Sequence, residues 1–417
     1  MKRRRSIRGA ELPKCKRPED VGFSSERLGR INEAFRMRVE IGEIPGAVVL
    51  IARHGKLAFF DAFGFRDREK QARMNTDAIF RIASMTKPFT SIAIMMLAEE
   101  GRVQLAHPVS EYLPEFKDLQ VGVETTDASG AAHLELQPAR REMTIQDLLR
   151  HTSGLTYGFF GASLVKAAYL DAKAFDAEQT NAEMVTKLSK LPLAYHPGTT
   201  WEYSMSTDVL ARVVEVISGM NFDRFIAERI SGPLGLRVTD FSVNQAHADR
   251  IAEPQVDKGT GKRPPMPDPL RRPKWLSGGA GLMSTATDYL RFCRMLLNGG
   301  ELDGVRLLSP KTIALMTSDH LPPGVGYGSI TLTQFGAGAP TAEMGQGFGL
   351  GFAVRKEQGR NPLPGSVGDY FWGGVFGTAF WIDPQEQLIA ILMLQAPAQR
   401  VLYRYLMREL VYQAMIR

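Results

Sequence analysis

The strand-forming runs of this chain lie at its two ends, and that placement limits its fold more than any other feature. Residues 46–51 (GAVVLI) are a β-branched run, His54-Gly55 is a turn, and 56–63 is a second strand, together a hairpin. Strand-like runs return at 348–355, 367–374, 377–383 and 388–395, with Asp383-Pro384-Gln385-Glu386 as the turn before the last. Residues 102–300 instead carry helical patterns, at 145–151, 162–172, 182–190, 206–218, 222–230 and 285–298. Loops rich in Gly, Pro and charge separate them, including 117–142 and 253–274. Helices are expected at 24–41 and from about 84 to 100, and an amphipathic one from about 399 to 415. The expected fold class is therefore α+β: a sheet flanked by helices from both termini, with a mostly helical insertion. The expected division is a disordered basic arm at 1–21, an α/β domain from 22–101 plus 300–417, and a helical insertion at 102–299. A cleft between two such domains is the usual place for a small-molecule site.

Composition narrows the function classes. The 417 residues include 44% hydrophobic and 23% charged side chains, an ordinary globular mixture. The longest apolar stretches, 91–98 and 388–394, fall far short of the roughly 18 residues of a membrane span. Net charge is +6, but residues 1–20 hold eight basic and three acidic residues, so the rest of the chain nets only +1. A nucleic-acid surface needs a basic patch on the folded body, so no nucleic-acid partner is expected. The two cysteines, Cys15 and Cys293, exclude a disulfide framework and a cysteine zinc site. The seven histidines form no H-E-x-x-H, so neither metal nor cofactor is expected. No apolar h-region follows the basic N-terminus, which makes cytoplasm the default expectation.

There is no G-x-S-x-G, no Walker loop and no G-x-G-x-x-G. Two S-x-x-K tetrads are present, Ser84-Met85-Thr86-Lys87 and Ser163-Leu164-Val165-Lys166. The first follows a short apolar piece (78–82) and opens a long helix with Pro88 in its first turn. Three-residue spacing sets Lys87 one turn on, on the same face as Ser84. An amine beside a hydroxyl is what a serine nucleophile without histidine requires. Ser163 has no such strand-to-helix setting.

Three further pieces follow in order: His151-Thr152-Ser153-Gly154-Leu155, then Trp201-Glu202-Tyr203-Ser204-Met205-Ser206, then Trp372-Gly373-Gly374. With the first tetrad, this ordered set resembles the serine β-lactamase and penicillin-binding-protein superfamily, in its class C-like branch, and most of all the family VIII carboxylesterases. The resemblance runs from about residue 22 to 415 and implies a β-lactamase-like fold with an antiparallel sheet. It implies that Ser84 is the acylated nucleophile, that Lys87 shares protons with it, and that Tyr203 is the general base. The expected Ser84 Oγ distances to Tyr203 Oη and Lys87 Nζ are about 3 Å, looser without substrate. It places the oxyanion donors at the backbone N–H groups of Ser84 and Val375. Trp372-Gly373-Gly374 takes the place of the family's K-T-G strand, and two glycines there would let a substrate lie along the backbone. Lys311-Thr312-Ile313 lies in a helical pattern and has no glycine, so it is a decoy.

The chain departs from the lactamase pattern twice. Met205 stands where the family's Y-x-N asparagine would be, and Trp372 stands where the K-T-G lysine would be. Both changes make the cleft more apolar and less suited to an anionic β-lactam or peptide. Tyr157, Phe159, Met205, Trp372 and Phe376, with Gly373 and Gly374, are the candidate substrate-binding residues. The expected activity is hydrolysis of uncharged short-chain carboxylic esters through an acyl-enzyme. A β-lactamase, a D-alanyl peptidase and an acyltransferase are alternatives on the same machinery. The oligomeric state is not legible in the sequence.

Overall fold

Strands from the two chain ends meet in one sheet. The structure is a computed structural model, and it describes residues 12–417. The N-terminal strands are β1 (Gly46–Arg53), β2 (Lys56–Asp67) and β3 (Ala72–Arg73). The C-terminal ones are β4 (Gln346–Phe348), β5 (Ala353–Arg355), β6 (Tyr370–Gly373), β7 (Ala379–Asp383) and β8 (Leu388–Leu394). Their order is β4-β5-β6-β7-β8-β1-β2-β3, and every pairing is antiparallel. Val49 pairs with Leu392 across the seam between the ends. Every residue of β1 and β8 is buried, because both faces of the central strands are covered.

Alternation along β1 divides the core. Ala47, Val49 and Ile51 face one side, against Leu28, Ile31 and Phe35 of α1 (Ser25–Glu40) and Tyr403, Met407 and Val411 near the C-terminus. Val48, Leu50 and Ala52 face the other side, toward α2 (Lys87–Glu99), α3 (Ser206–Ser218) and α4 (Ala286–Leu297). The C-terminal residues form α5 (Arg400–Tyr412). Buried Asp369, just before β6, accepts from Arg355 of β5 at 3.0 Å and from Arg408 of α5. Removing Asp369 would leave two buried guanidinium groups without their carboxylate, and its two partners hold the start of β6 from two sides.

The structure departs from sequence expectation at four places. The run expected as one strand at 348–355 instead holds the end of β4 and all of β5, antiparallel to each other, because the chain reverses at 349–352. Residues 120–126 and 132–138 pair as a hairpin inside the segment expected to be loop. The long helix expected from Ser84 begins with a 3-10 turn, Ala83–Thr86, before α2. Part of the expected arm is packed: Cys15 N–H donates to the Leu57 carbonyl at 3.0 Å, and Leu12, Cys15 and Val21 are buried. Disorder at 12–21 is therefore corrected, because apolar side chains between the charges find a place beside β2. The remainder of the arm, 1–11, lies outside the described residues. Among the described residues no helix is long and apolar enough to cross a membrane.

Candidate active site

Ser84 sits on a backbone under strain. Ala83, just before it, has φ +44°, a region that costs a non-glycine residue roughly 1–3 kcal/mol and persists only when the surroundings enforce it. Several groups enforce it here. Gln395 Nε2 donates to the Arg81 carbonyl at 3.2 Å, Thr378 Oγ1 to Ile82 O at 3.3 Å, and Tyr289 Oη to Met85 O at 3.1 Å. Thr86 Oγ1 accepts from Leu282 N–H at 3.0 Å. The hydroxyl of Ser84 makes no helix cap and no hydrogen bond to a described residue, and the side chain is half-buried. The second tetrad contrasts with it. Ser163 caps the helix Leu164–Asp171, accepting from Lys166 N–H, while Lys166 Nζ pairs with Glu202 at 3.0 Å. One serine is occupied structurally and the other is not.

Lys87 and Tyr203 are both buried, and they meet. Lys87 Nζ lies over the Tyr203 ring, 4.6 Å from its centroid. No hydrogen bond joins Ser84 Oγ to Tyr203 Oη or Lys87 Nζ, so the expected contacts of about 3 Å are not formed. Lys87 Nζ instead donates to the Gly279 carbonyl at 2.9 Å and to Tyr157 Oη at 3.2 Å. Tyr157 Oη in turn donates to Asp208 Oδ2 at 3.3 Å. Burial pushes the Asp208 carboxyl upward, while Lys87 and donors from Ser277, Gly279 N–H and Tyr157 pull it back. Burial, then the charge of Asp208, push Tyr157 well above its ordinary value and keep it a neutral phenol. His151 packs 4.9 Å from the Tyr203 ring, and burial, with Lys87 nearby, keeps it neutral.

Trp372, on β6, is buried, and its Nε1 donates to Tyr203 Oη at 3.3 Å. Phe335 closes on both rings, 5.2 Å from Tyr203 and 5.5 Å from Trp372. The two glycines that follow clear space for protein groups. A Cβ on Gly373 would lie 2.5 Å from the guanidinium carbon of Arg404, and one on Gly374 would lie 2.3 Å from Ile82 O. Arg404 of α5 donates to the carbonyls of Gly374 and Thr378. The Gly374 carbonyl and the Val375 N–H belong to one peptide unit, so a guanidinium on its oxygen orients and polarises that N–H.

The other candidate wall residues scatter. Met205 is buried just before α3, where its carbonyl accepts from Asp208 N–H at 3.0 Å. Phe159 is 46% exposed and Val375 36%. Phe376 is half-buried, and its carbonyl accepts from Ala396 N–H at 2.8 Å. Tyr157, expected in the apolar wall, instead holds Lys87 through its hydroxyl. Sequence reasoning missed Asp208, Gly279 and Arg404. Asp208 left a signal: a carboxylate five residues after Tyr203, just before the apolar run Val209-Leu210-Ala211. Gly279 acts through its backbone carbonyl, and no side chain announces that.

Comparison with known proteins shows the family. The sequence model of the family described as Beta-lactamase matches residues 31–411. Protein Rv1367c of Mycobacterium tuberculosis is 37% identical over 369 residues, covering 87% of this chain and 88% of that protein. Esterase EstB of Burkholderia gladioli is 31% identical over 390 residues, covering 87% and 89% respectively. The solved structure of EstCE1, a hydrolase with promiscuous acyltransferase activity, superposes with a TM-score of 0.75 at 28% identity, covering 93% of this chain and 99% of that one. The chain belongs to the Beta-lactamase family, among the serine hydrolases of the β-lactamase and penicillin-binding-protein superfamily.

Proposed function

We propose that this protein is a carboxylesterase that works through an acyl-enzyme on Ser84. The observation that carries the reading is the buried contact of Tyr203 with Lys87, three residues after a serine whose hydroxyl bonds to no described residue. In the first half-reaction Ser84 Oγ attacks the ester carbonyl as its proton passes to the oxygen of Tyr203, acting as a phenolate that the adjacent Lys87 ammonium stabilises. Positioned proton transfer of this kind contributes typically about 10²–10⁴-fold. The N–H groups of Ser84 and Val375 receive the developing oxyanion, and each such donor is worth roughly 3 kcal/mol. The carbonyl re-forms, the alcohol leaves with the proton from Tyr203, and Ser84 keeps the acyl group. Water attacks the acyl carbonyl next as its proton passes to the same phenolate oxygen, and the acid is released as that proton returns from Tyr203 to Ser84 Oγ.

The substrate reading rests on what surrounds these groups. Trp372 spends its N–H on Tyr203, and Met205 offers only a soft apolar surface. Arg404 is engaged by two backbone carbonyls. An uncharged ester with a short acyl group fits this lining better than an anionic lactam does. Steady-state rates on p-nitrophenyl butyrate and nitrocefin, for wild type and Ser84→Ala, test the reading. The ester should turn over with the higher kcat/KM, and Ser84→Ala should lose that activity. Faster lactam turnover would reassign the protein to the β-lactamases.

A further inference from the structure

A band of aromatic side chains runs outward from Lys87. Tyr157, whose hydroxyl holds Lys87, stacks on Phe159 at 5.0 Å. Phe159 meets Phe175 edge-on at 5.1 Å, and Phe175 meets Trp275 at 4.7 Å. Phe159 and Phe175 are each 46% exposed and Leu170 is 54% exposed. These three, with Met205, line one open cleft of about 280 Å³. Its polar rim carries one charge of each sign, Lys173 and Asp176. A cluster of large exposed apolar side chains joined to a reactive centre marks a ligand surface more than a solvated face.

Which part of an ester belongs there follows from proton traffic. The leaving oxygen takes its proton from Tyr203, so it must lie against the Tyr203–Lys87 pair. The aromatic band starts at that pair, through Tyr157, and Met205 follows Tyr203 by two residues. The oxyanion donor Val375 comes from a different element, the turn after β6. We infer that the Phe159–Leu170–Phe175 cleft is the alcohol subsite, and that the substrates join a short acyl group to a large apolar alcohol. This inference rests on the esterase reading and adds the substrate class to it.

The test uses butyrate esters of primary alcohols of similar acidity, ethanol and 2-(2-naphthyl)ethanol, with acid release followed by pH-stat on the full chain. Burying on the order of 100 Å² of naphthyl surface at about 25 cal/mol per Å² corresponds to a rise in kcat/KM of about 70-fold over the ethyl ester. In Phe159→Ser/Phe175→Ser the ratio between the two esters should collapse to a few-fold. Leu170→Glu, a single change at a more exposed position, should lower it too. The readout is a ratio within each variant, so a general loss of activity or folded protein cancels. Equal rates for the two esters in wild type would overturn the inference, as would a ratio that survives in both variants. A preference that follows acyl length, with ethyl octanoate far better than ethyl butyrate and that gain lost in the variants, would also overturn it. Failure of the esterase reading looks different: ethyl butyrate would still be hydrolysed by Ser84→Ala.

Discussion

Tyr157→Phe separates two accounts of the same side chain. As a piece of apolar wall, Tyr157 would lose nothing on conversion to Phe, which is the more apolar ring. As the holder of Lys87 it loses the hydroxyl that accepts from Nζ at 3.2 Å and donates to Asp208 at 3.3 Å. Lys87 then keeps the Gly279 carbonyl at 2.9 Å, and Asp208 keeps Ser277 and the Gly279 N–H. Neither charge is stranded, so the protein should still fold. A hydrogen bond to a charged group is worth roughly 1.5–3 kcal/mol, and the long distances here point to the lower half of that range. If that energy serves to place the ammonium beside Tyr203, its loss lowers kcat/KM by about 10- to 40-fold. The effect should fall on kcat with KM little changed, since the bond positions Lys87 for the proton transfer and does not touch the substrate. Steady-state kinetics on p-nitrophenyl butyrate, with circular dichroism to confirm folding, gives the answer. Unchanged or improved kcat in a folded variant would refute the relay from Asp208 through Tyr157 to Lys87.

Two other perturbations follow from the same geometry. Arg404→Gln removes the guanidinium from the Gly374 carbonyl and should cut kcat about 10-fold, part of the full worth of an oxyanion donor. Affinity for a trifluoromethyl ketone analogue should fall by the same factor and Arg404→Lys should recover part of it; equal analogue affinity in wild type and Arg404→Gln would count against the idea. Asp147 gives a pH signature: burial opposes its charge, but Arg141, the Thr144 N–H and the Thr152 hydroxyl hold it at about 2. Its folded value is thus depressed below the unfolded reference near 3.9, which makes a stabilisation of about 2.5 kcal/mol, present above pH 4 and lost as pH falls from 4 to 2. Denaturant unfolding of wild type and Asp147→Asn should therefore converge over that range, and a constant gap from pH 5 to 2 would contradict it.

Much of this was open to reading because the informative signals are local. The hairpin of β1 and β2 rests on a β-branched run and one His-Gly turn, and both are where the pattern puts them. The strand-to-helix setting of Ser84 distinguished it from Ser163, and the structure gives the two serines different occupations. What escaped reading depends on partners distant in sequence. The hairpin at 120–138 is mostly exposed and polar, so its alternation carried little hydrophobic contrast. Leu12 and Cys15 are isolated among charges, and their burial depends on core residues distant in sequence, with backbone bonds to Leu57 holding the segment there. A tyrosine near an active site looks apolar until the groups at its hydroxyl are known, and those of Tyr157 lie 70 and 51 residues away. Gly373 and Gly374 suggested room for a substrate, whereas the space belongs to Arg404 and Ile82.

The most direct test is to trap the nucleophile. Wild-type protein treated with an alkyl p-nitrophenyl phosphonate should gain one phosphonyl group, located by peptide mass spectrometry on Ser84, in step with loss of esterase activity. Ser84→Ala should gain none and stay inactive. A phosphonyl group on any other side chain, or ester turnover by Ser84→Ala at the wild-type rate, would contradict catalysis by this hydroxyl.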